Sequence, residues 1–125
     1  MKKFLHGRKN SLLYAWEGLV YFIKNEIHAR IHLAFALLFL FFGWVCSISS
    51  TEWLIIIGCI GLVIQAEIWN TVFELLLDYV SPQWHIKVKV MKDIAAAGVL
   101  CCVVISIILG LIIFVPYLYA WWMQI

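Results

Sequence analysis

The chain has 125 residues, of which 66% are hydrophobic and only 13% charged, with a net charge of +2 and a mean hydropathy of +1.01. A soluble domain carries about 25% charged residues, so this chain lacks the polar surface to cover itself in water and must take lipid as its solvent. The small net charge excludes a nucleic-acid binder, and the length allows one domain at most.

In residues 1–30, Leu12, Leu13, Trp16, Leu19, Val20 and Ile23 recur at three- and four-residue spacing, with Lys9, Asn10, Glu17 and Lys24 between them. This pattern predicts an amphipathic helix over about 8–28 that lies in the membrane interface, with Tyr14, Trp16 and Tyr21 at headgroup depth. A solvent-facing helix packed on the rest of the chain is the other reading. From Ile31 the run IHLAFALLFLFFGWV is interrupted only by His32. A first span over about 31–49 then has the roughly 20 residues that cross a ~30 Å hydrocarbon core. CSISSTE, residues 46–52, reads as a tight polar turn.

Trp53 opens a second apolar run that ends at Glu67, yet nothing breaks the helix before Ser81-Pro82. A span over about 52–72 should therefore continue as helix to about 80. A third run gives a span over about 94–119, long enough to cross with some tilt. The expected fold is an all-α membrane protein, one domain over 1–125, with a surface helix and three transmembrane helices. All nine basic residues (Lys2, Lys3, Arg8, Lys9, Lys24, Arg30, Lys87, Lys89 and Lys92) avoid the 46–52 loop and the segment after the third span. The positive-inside rule then puts the N-terminus and the 79–92 loop in the cytoplasm and the C-terminus outside the cell membrane. The N-terminus lacks an apolar stretch followed by a small-residue cleavage site, so the first span should act as an uncleaved insertion signal. Cys46, Cys59, Cys101 and Cys102 form no CxxC pair and read as small hydrophobes.

Glu67, Asn70, Glu74 and Asp78 follow at intervals of three, four and four. At ~100° per residue they fall near 0°, 300°, 340° and 20° on the helical wheel, a single polar stripe on an apolar cylinder. Carboxylates at membrane depth are costly unless paired, hydrated or metal-bound, so three on one stripe suggest a site. Glu26, before the first span, and Lys92-Asp93, at the mouth of the third, are placed to face it. Acids with a lysine at a lipid–water boundary suit a divalent cation and phosphate. Other readings stay open on spacing alone. Glu74 and Asp78 can be a solvated helix face, and Glu67 and Asn70 an interhelical hydrogen-bonding pair. His28 and His32 have metal-ligand spacing but make an incomplete set, and read better as interfacial histidines. A small ion or proton conduit could use Glu67, Glu74 and Asp78, but it would need polar residues through the whole membrane, and the outer halves of the spans carry no charge. No Walker, dinucleotide-binding or soluble-kinase motif is present.

The stretch AEIWNTVFELLLDYVSPQWH followed by KDIAAAGVL resembles the membrane-integral prokaryotic diacylglycerol kinase and undecaprenol kinase family. Its pattern is E-x-x-N-[ST]-x-x-E-x-x-x-D, then a short loop with His, then K-D-x-[AG]-[AGS]-A. SLLYAWEGLVYFIKNEIHARIHL is similar to the family's surface helix, and the likeness covers nearly the whole chain.

The resemblance implies that Glu67 is the general base for a lipid hydroxyl and that Glu26 and Glu74 bind the Mg²⁺ carried by ATP. It places Tyr14, Gln83, Trp84, His85, Lys92 and Asp93 with Glu26 and Glu74 around the nucleotide, Asn70 and Asp78 in the surrounding shell, and Arg30 with Glu67 beside the lipid. It also implies a homotrimer with shared active sites. Arg8 stands one position from where the family's early basic residue is expected, and Gln65 and Trp69 replace smaller or aliphatic residues. RIHL at the start of the first span and GLIIFVP at the end of the third look more like the undecaprenol kinase branch. The expected activity is therefore transfer of the γ-phosphate of Mg-ATP to undecaprenol, with diacylglycerol next.

Overall fold

A computed structural model describes residues 2–123, with side chains from Asn10 onward; the side chain of Arg8 lies outside the described set. The described residues form four helices and no strand: α1 (Lys2–Asn25), α2 (Ile27–Val45), α3 (Ser50–Val80) and α4 (Ile86–Trp122). The last three are long and apolar enough to cross a membrane. Large apolar side chains such as Leu37, Leu54 and Ile112 point outward, Leu54 at 73% exposure, as expected where lipid rather than water is the solvent. Among its described side chains α1 buries only Phe22 and leaves Leu12, Tyr14 and Trp16 open, the arrangement of a helix whose apolar face meets an interface instead of a protein core.

The surface helix ends earlier than its periodicity suggests. Asn25 Nδ2 donates to the Tyr21 carbonyl at 2.8 Å, satisfying one of the last-turn acceptors that a helix end leaves open. Glu26 then takes an extended conformation (φ −100°, ψ 118°), and α2 starts at Ile27, four residues before the expected span. α4 likewise starts eight residues early. His85 Nδ1 accepts from the Lys87 N–H at 3.1 Å, an N-cap that lets residues 86–93 join the helix. The expected 79–92 loop shrinks to 81–85.

α2 and α3 meet along a seam with a seven-residue repeat. Ala29, Ala36 and Gly43 are the buried residues of α2, and Ile56, Val63 and Asn70 repeat at the same interval among those of α3. Small residues on one side let the backbones approach closely. At Gly43 the approach is obligatory, since an added Cβ would lie 2.9 Å from Trp53 Cη2 and 3.1 Å from Ile48 Cδ1. The turn between the helices is a Schellman motif: Ile48 N–H bonds back to the Gly43 carbonyl and Ser47 N–H to that of Trp44, both at 3.2 Å. Ser47 holds the left-handed conformation (φ 50°) that glycine usually fills. α3 then opens with a capping box between Ser49 and Glu52, and Tyr117 of α4 donates to Glu52 Oε2 at 2.9 Å. The apolar core, Ile48, Ile56, Ile113 and Phe114, sits at this same end.

Candidate active site

The other end of the bundle carries the polar stripe, and burial grades along it. Glu67 is 3% exposed, Asn70 and Thr71 are buried, Glu74 is half-buried and Asp78 is open. Glu67 stands 17 residues into α3, about 25 Å from that helix's start at 1.5 Å per residue. Asn70 Nδ2 donates to Glu74 Oε1 at 3.1 Å. Among the described residues the Asn70 amide thus bonds along α3 and not between helices. Its Oδ1 is buried without a partner among the described residues, although buried acceptors in proteins are normally satisfied.

No hydrogen bond reaches the Glu67 carboxylate among the described residues. The groups acting on it electrostatically are His32, His28, Glu74 and Glu26. The first turns of α2 and the stripe of α3 thus converge on one buried carboxylate. An isolated charge there would be very costly, and two imidazoles offset part of that cost. The carboxyls of Glu26 and Glu74 are both close enough to act on Glu67, so three acids gather within one neighbourhood. No three or more His, Cys, Asp or Glu side chains form a metal cage among the described residues. Mg²⁺ does not need one, because it is typically held by one or two carboxylates plus substrate phosphates and water. Hard oxygen donors from Glu26 and Glu74, with the side chain of Asn70 next to Glu74, fit that requirement.

The remaining candidates lie at the rim. Lys92 Nζ donates to Asp78 Oδ1 at 2.5 Å, tying the start of α4 to the end of α3. Asp93 instead pairs with Lys89 one turn earlier at 2.7 Å, with its side chain 61% exposed, so a single chain does not bring it to Glu67. Gln83, Trp84 and His85 form an exposed turn after α3, and Tyr14 and Arg30 are exposed on α1 and α2. Reading the residues in order misses His28 and His32 as neighbours of Glu67. The signal that finds them is the hairpin itself. His28 and Glu67 lie about twenty residues on either side of the α2–α3 turn, and so come level when the helices pack antiparallel.

The fold is that of a helical integral-membrane protein with a buried carboxylate at its charged end, flanked by acids and a lysine. The family model for prokaryotic diacylglycerol kinase matches residues 13–114. The chain is also 35% identical to an undecaprenol kinase from Bacillus subtilis (strain 168), over 86% of this chain and 88% of that protein. It belongs to the prokaryotic diacylglycerol kinase family, and it is a lipid kinase.

Proposed function

We propose that the protein transfers the γ-phosphate of Mg-ATP to a membrane lipid alcohol, undecaprenol before diacylglycerol, with Glu67 as general base. The observation that carries this is the convergence of Glu26, Glu74 and two histidines on the buried Glu67. The Glu67 carboxylate takes the hydroxyl proton, the alcohol oxygen bonds to the γ-phosphorus, and the bond to the β-γ bridging oxygen breaks to release ADP. Phosphoryl transfer needs positioning and charge neutralisation more than covalent help. Glu26 and Glu74 would hold Mg²⁺, which when bound neutralises phosphate charge. Lys92 would face the phosphates in exchange for Asp78, with Asn70 and Asp93 in the shell. Tyr14 and the Gln83–His85 turn would border the nucleotide, and Arg30 the lipid headgroup.

Undecaprenol is favoured because the relative's name specifies that substrate. The basic residues at the Glu67 end support a cytoplasmic N-terminus and an external C-terminus in the plasma membrane, so that ATP reaches the site directly. The whole chain would act as one catalytic domain. The open rim around Asp78, Trp84 and Asp93 supports a homotrimer whose neighbours complete the nucleotide site. A conduit is disfavoured because the stripe turns apolar at Val63, Ile60 and Ile56 on its way across.

The test is a competition. Purified protein in lipid discs receives γ-labelled Mg-ATP with equal amounts of undecaprenol and diacylglycerol. Label is expected mainly in undecaprenyl phosphate. Label mainly in phosphatidic acid would reverse the order of substrates, and no labelled lipid would end the reading.

A further inference from the structure

Four charged side chains stand where the end of α3 meets the start of α4, and they divide into two ion pairs. Lys92 reaches across to Asp78 at 2.5 Å, while Lys89 and Asp93 pair along α4 at 2.7 Å. The sequence leaves each of them little choice. On a helix, side chains three and four residues apart meet, whereas adjacent ones diverge. Asp93 therefore does not face Lys92, and its helical neighbours are Lys89, Val90, Ala96 and Ala97. Lys89 is the one cation that α4 offers it. Lys92 in turn has no acid at positions 88, 89, 95 or 96 and finds its partner on another helix.

Helix support alone does not explain the order of these charges. An acid near the helix start with a lysine one turn later would suit both the macrodipole and i,i+4 pairing. α4 has the reverse: no acid in its first turn, and Lys89 four residues ahead of Asp93. The two side chains are 58% and 61% exposed, and pairs this open add little to stability. What the pair does achieve is placement. Lys92 lies seven residues before the buried Val99, on the same side of α4, and so points toward α3. Asp93 falls about 100° away on the flank, where Lys89 draws its carboxylate back toward the helix start and offsets its charge.

We infer that Lys89 is a positioning residue for the nucleotide: it pins the Asp93 carboxylate along α4, so that phosphates approaching Lys92 do not meet a loose anion. The inference rests on the reading of Lys92 as the phosphate-facing lysine and adds what keeps that lysine available. Lys89 itself touches no substrate. Without it Asp93 has no cation within helical reach, and its carboxylate is free to turn toward the charge that Lys92 has to offer.

Nucleotide affinity is measured for the full chain in lipid discs with Mg²⁺ and a non-hydrolysable ATP analogue. Lys89→Gln is expected to weaken binding about fivefold at low salt, the upper reach of one exposed ion pair. Lys89→Arg, which keeps the pair, should bind as wild type, and KM for the lipid alcohol and the thermal midpoint should stay unchanged in both. The deciding comparison is a double-mutant cycle. A residue that acts by holding Asp93 matters only while Asp93 carries a carboxylate, so Lys89→Gln should cost nothing further in Asp93→Asn. The same loss in both backgrounds would mean that Lys89 acts as a charge at a distance, and would overturn the inference. Unchanged affinity in Lys89→Gln would overturn it too, as would tighter binding, which would show the pair holding Asp93 out of the site. A wild-type chain that binds no nucleotide sinks the kinase reading and this inference with it; nucleotide binding with additive losses sinks this inference alone.

Discussion

Around the α2–α3 turn, backbone groups are closed by a Schellman motif and a capping box, and Ile48, Ile56, Ile113 and Phe114 pack into the core. At the opposite end, among the described residues, Glu67 is buried without a hydrogen bond and Asn70 Oδ1 has no partner, and the ion pairs joining or lining α3 and α4 face water. One end is satisfied and closed, the other polar and unsatisfied. The bundle is held where no chemistry is proposed, so its charged end can keep groups in a state that only a substrate completes. Local order and reactivity are separated along the same three helices.

If that division holds, substitutions at the two ends fail different assays. The largest expected effect is Glu67→Gln, which should cut turnover by ~10²–10⁴-fold, the usual contribution of general acid–base catalysis. Its stability in detergent titration should match or exceed wild type, since a buried charge is removed. Retained turnover would end the base assignment. Glu74→Gln comes next. Losing a charged ligand should raise the KM for Mg-ATP by about tenfold or more, with the lipid KM unmoved. Equal nucleotide affinity would show Glu74 to be only a hydrated face that accepts from Asn70.

At the closed end the readout reverses. Gly43→Ala pushes a Cβ against Trp53 and Ile48 and should cost ~1–3 kcal/mol of stability, as overpacking does, leaving kcat near wild type in the surviving folded protein. Wild-type stability would mean that the seam is looser than its distances indicate. The smallest effect is Ser47→Gly. A left-handed residue other than glycine costs roughly 1–2 kcal/mol, and glycine returns roughly 0.5–1 kcal/mol of that through the freer unfolded chain. A net gain of ~0.5 kcal/mol in the same titration is the expected result.

Much of this was legible in the residues. The apolar runs announce three spans because their length has to match a hydrocarbon core, and the stripe on α3 is visible because helical spacing alone puts Glu67, Asn70, Glu74 and Asp78 on one face. Helix ends were less readable. Nothing in Asn25-Glu26 resembles a breaker, and the stop there depends on one side-chain bond to Tyr21. The lysine-rich segment before Asp93 looks like loop, yet a histidine cap and an i,i+4 ion pair, Lys89 to Asp93, carry it as helix. His32 was the harder case. By itself it is a blemish in an apolar run; its meaning comes from a residue 35 positions later, and only antiparallel packing brings the two level.

The helices also differ in length. α2 has 19 residues against 31 for α3 and 37 for α4, and at 1.5 Å per residue it measures about 28 Å, close to a typical hydrocarbon thickness of ~30 Å. α3 and α4 overshoot and can slide or tilt without exposing an end, whereas α2 has no slack, with the tight turn at one end and Glu26 at the other. Bilayer thickness therefore acts on this protein through α2, and a membrane too thick for that helix would pull Glu26 and His32 out of register with Glu67.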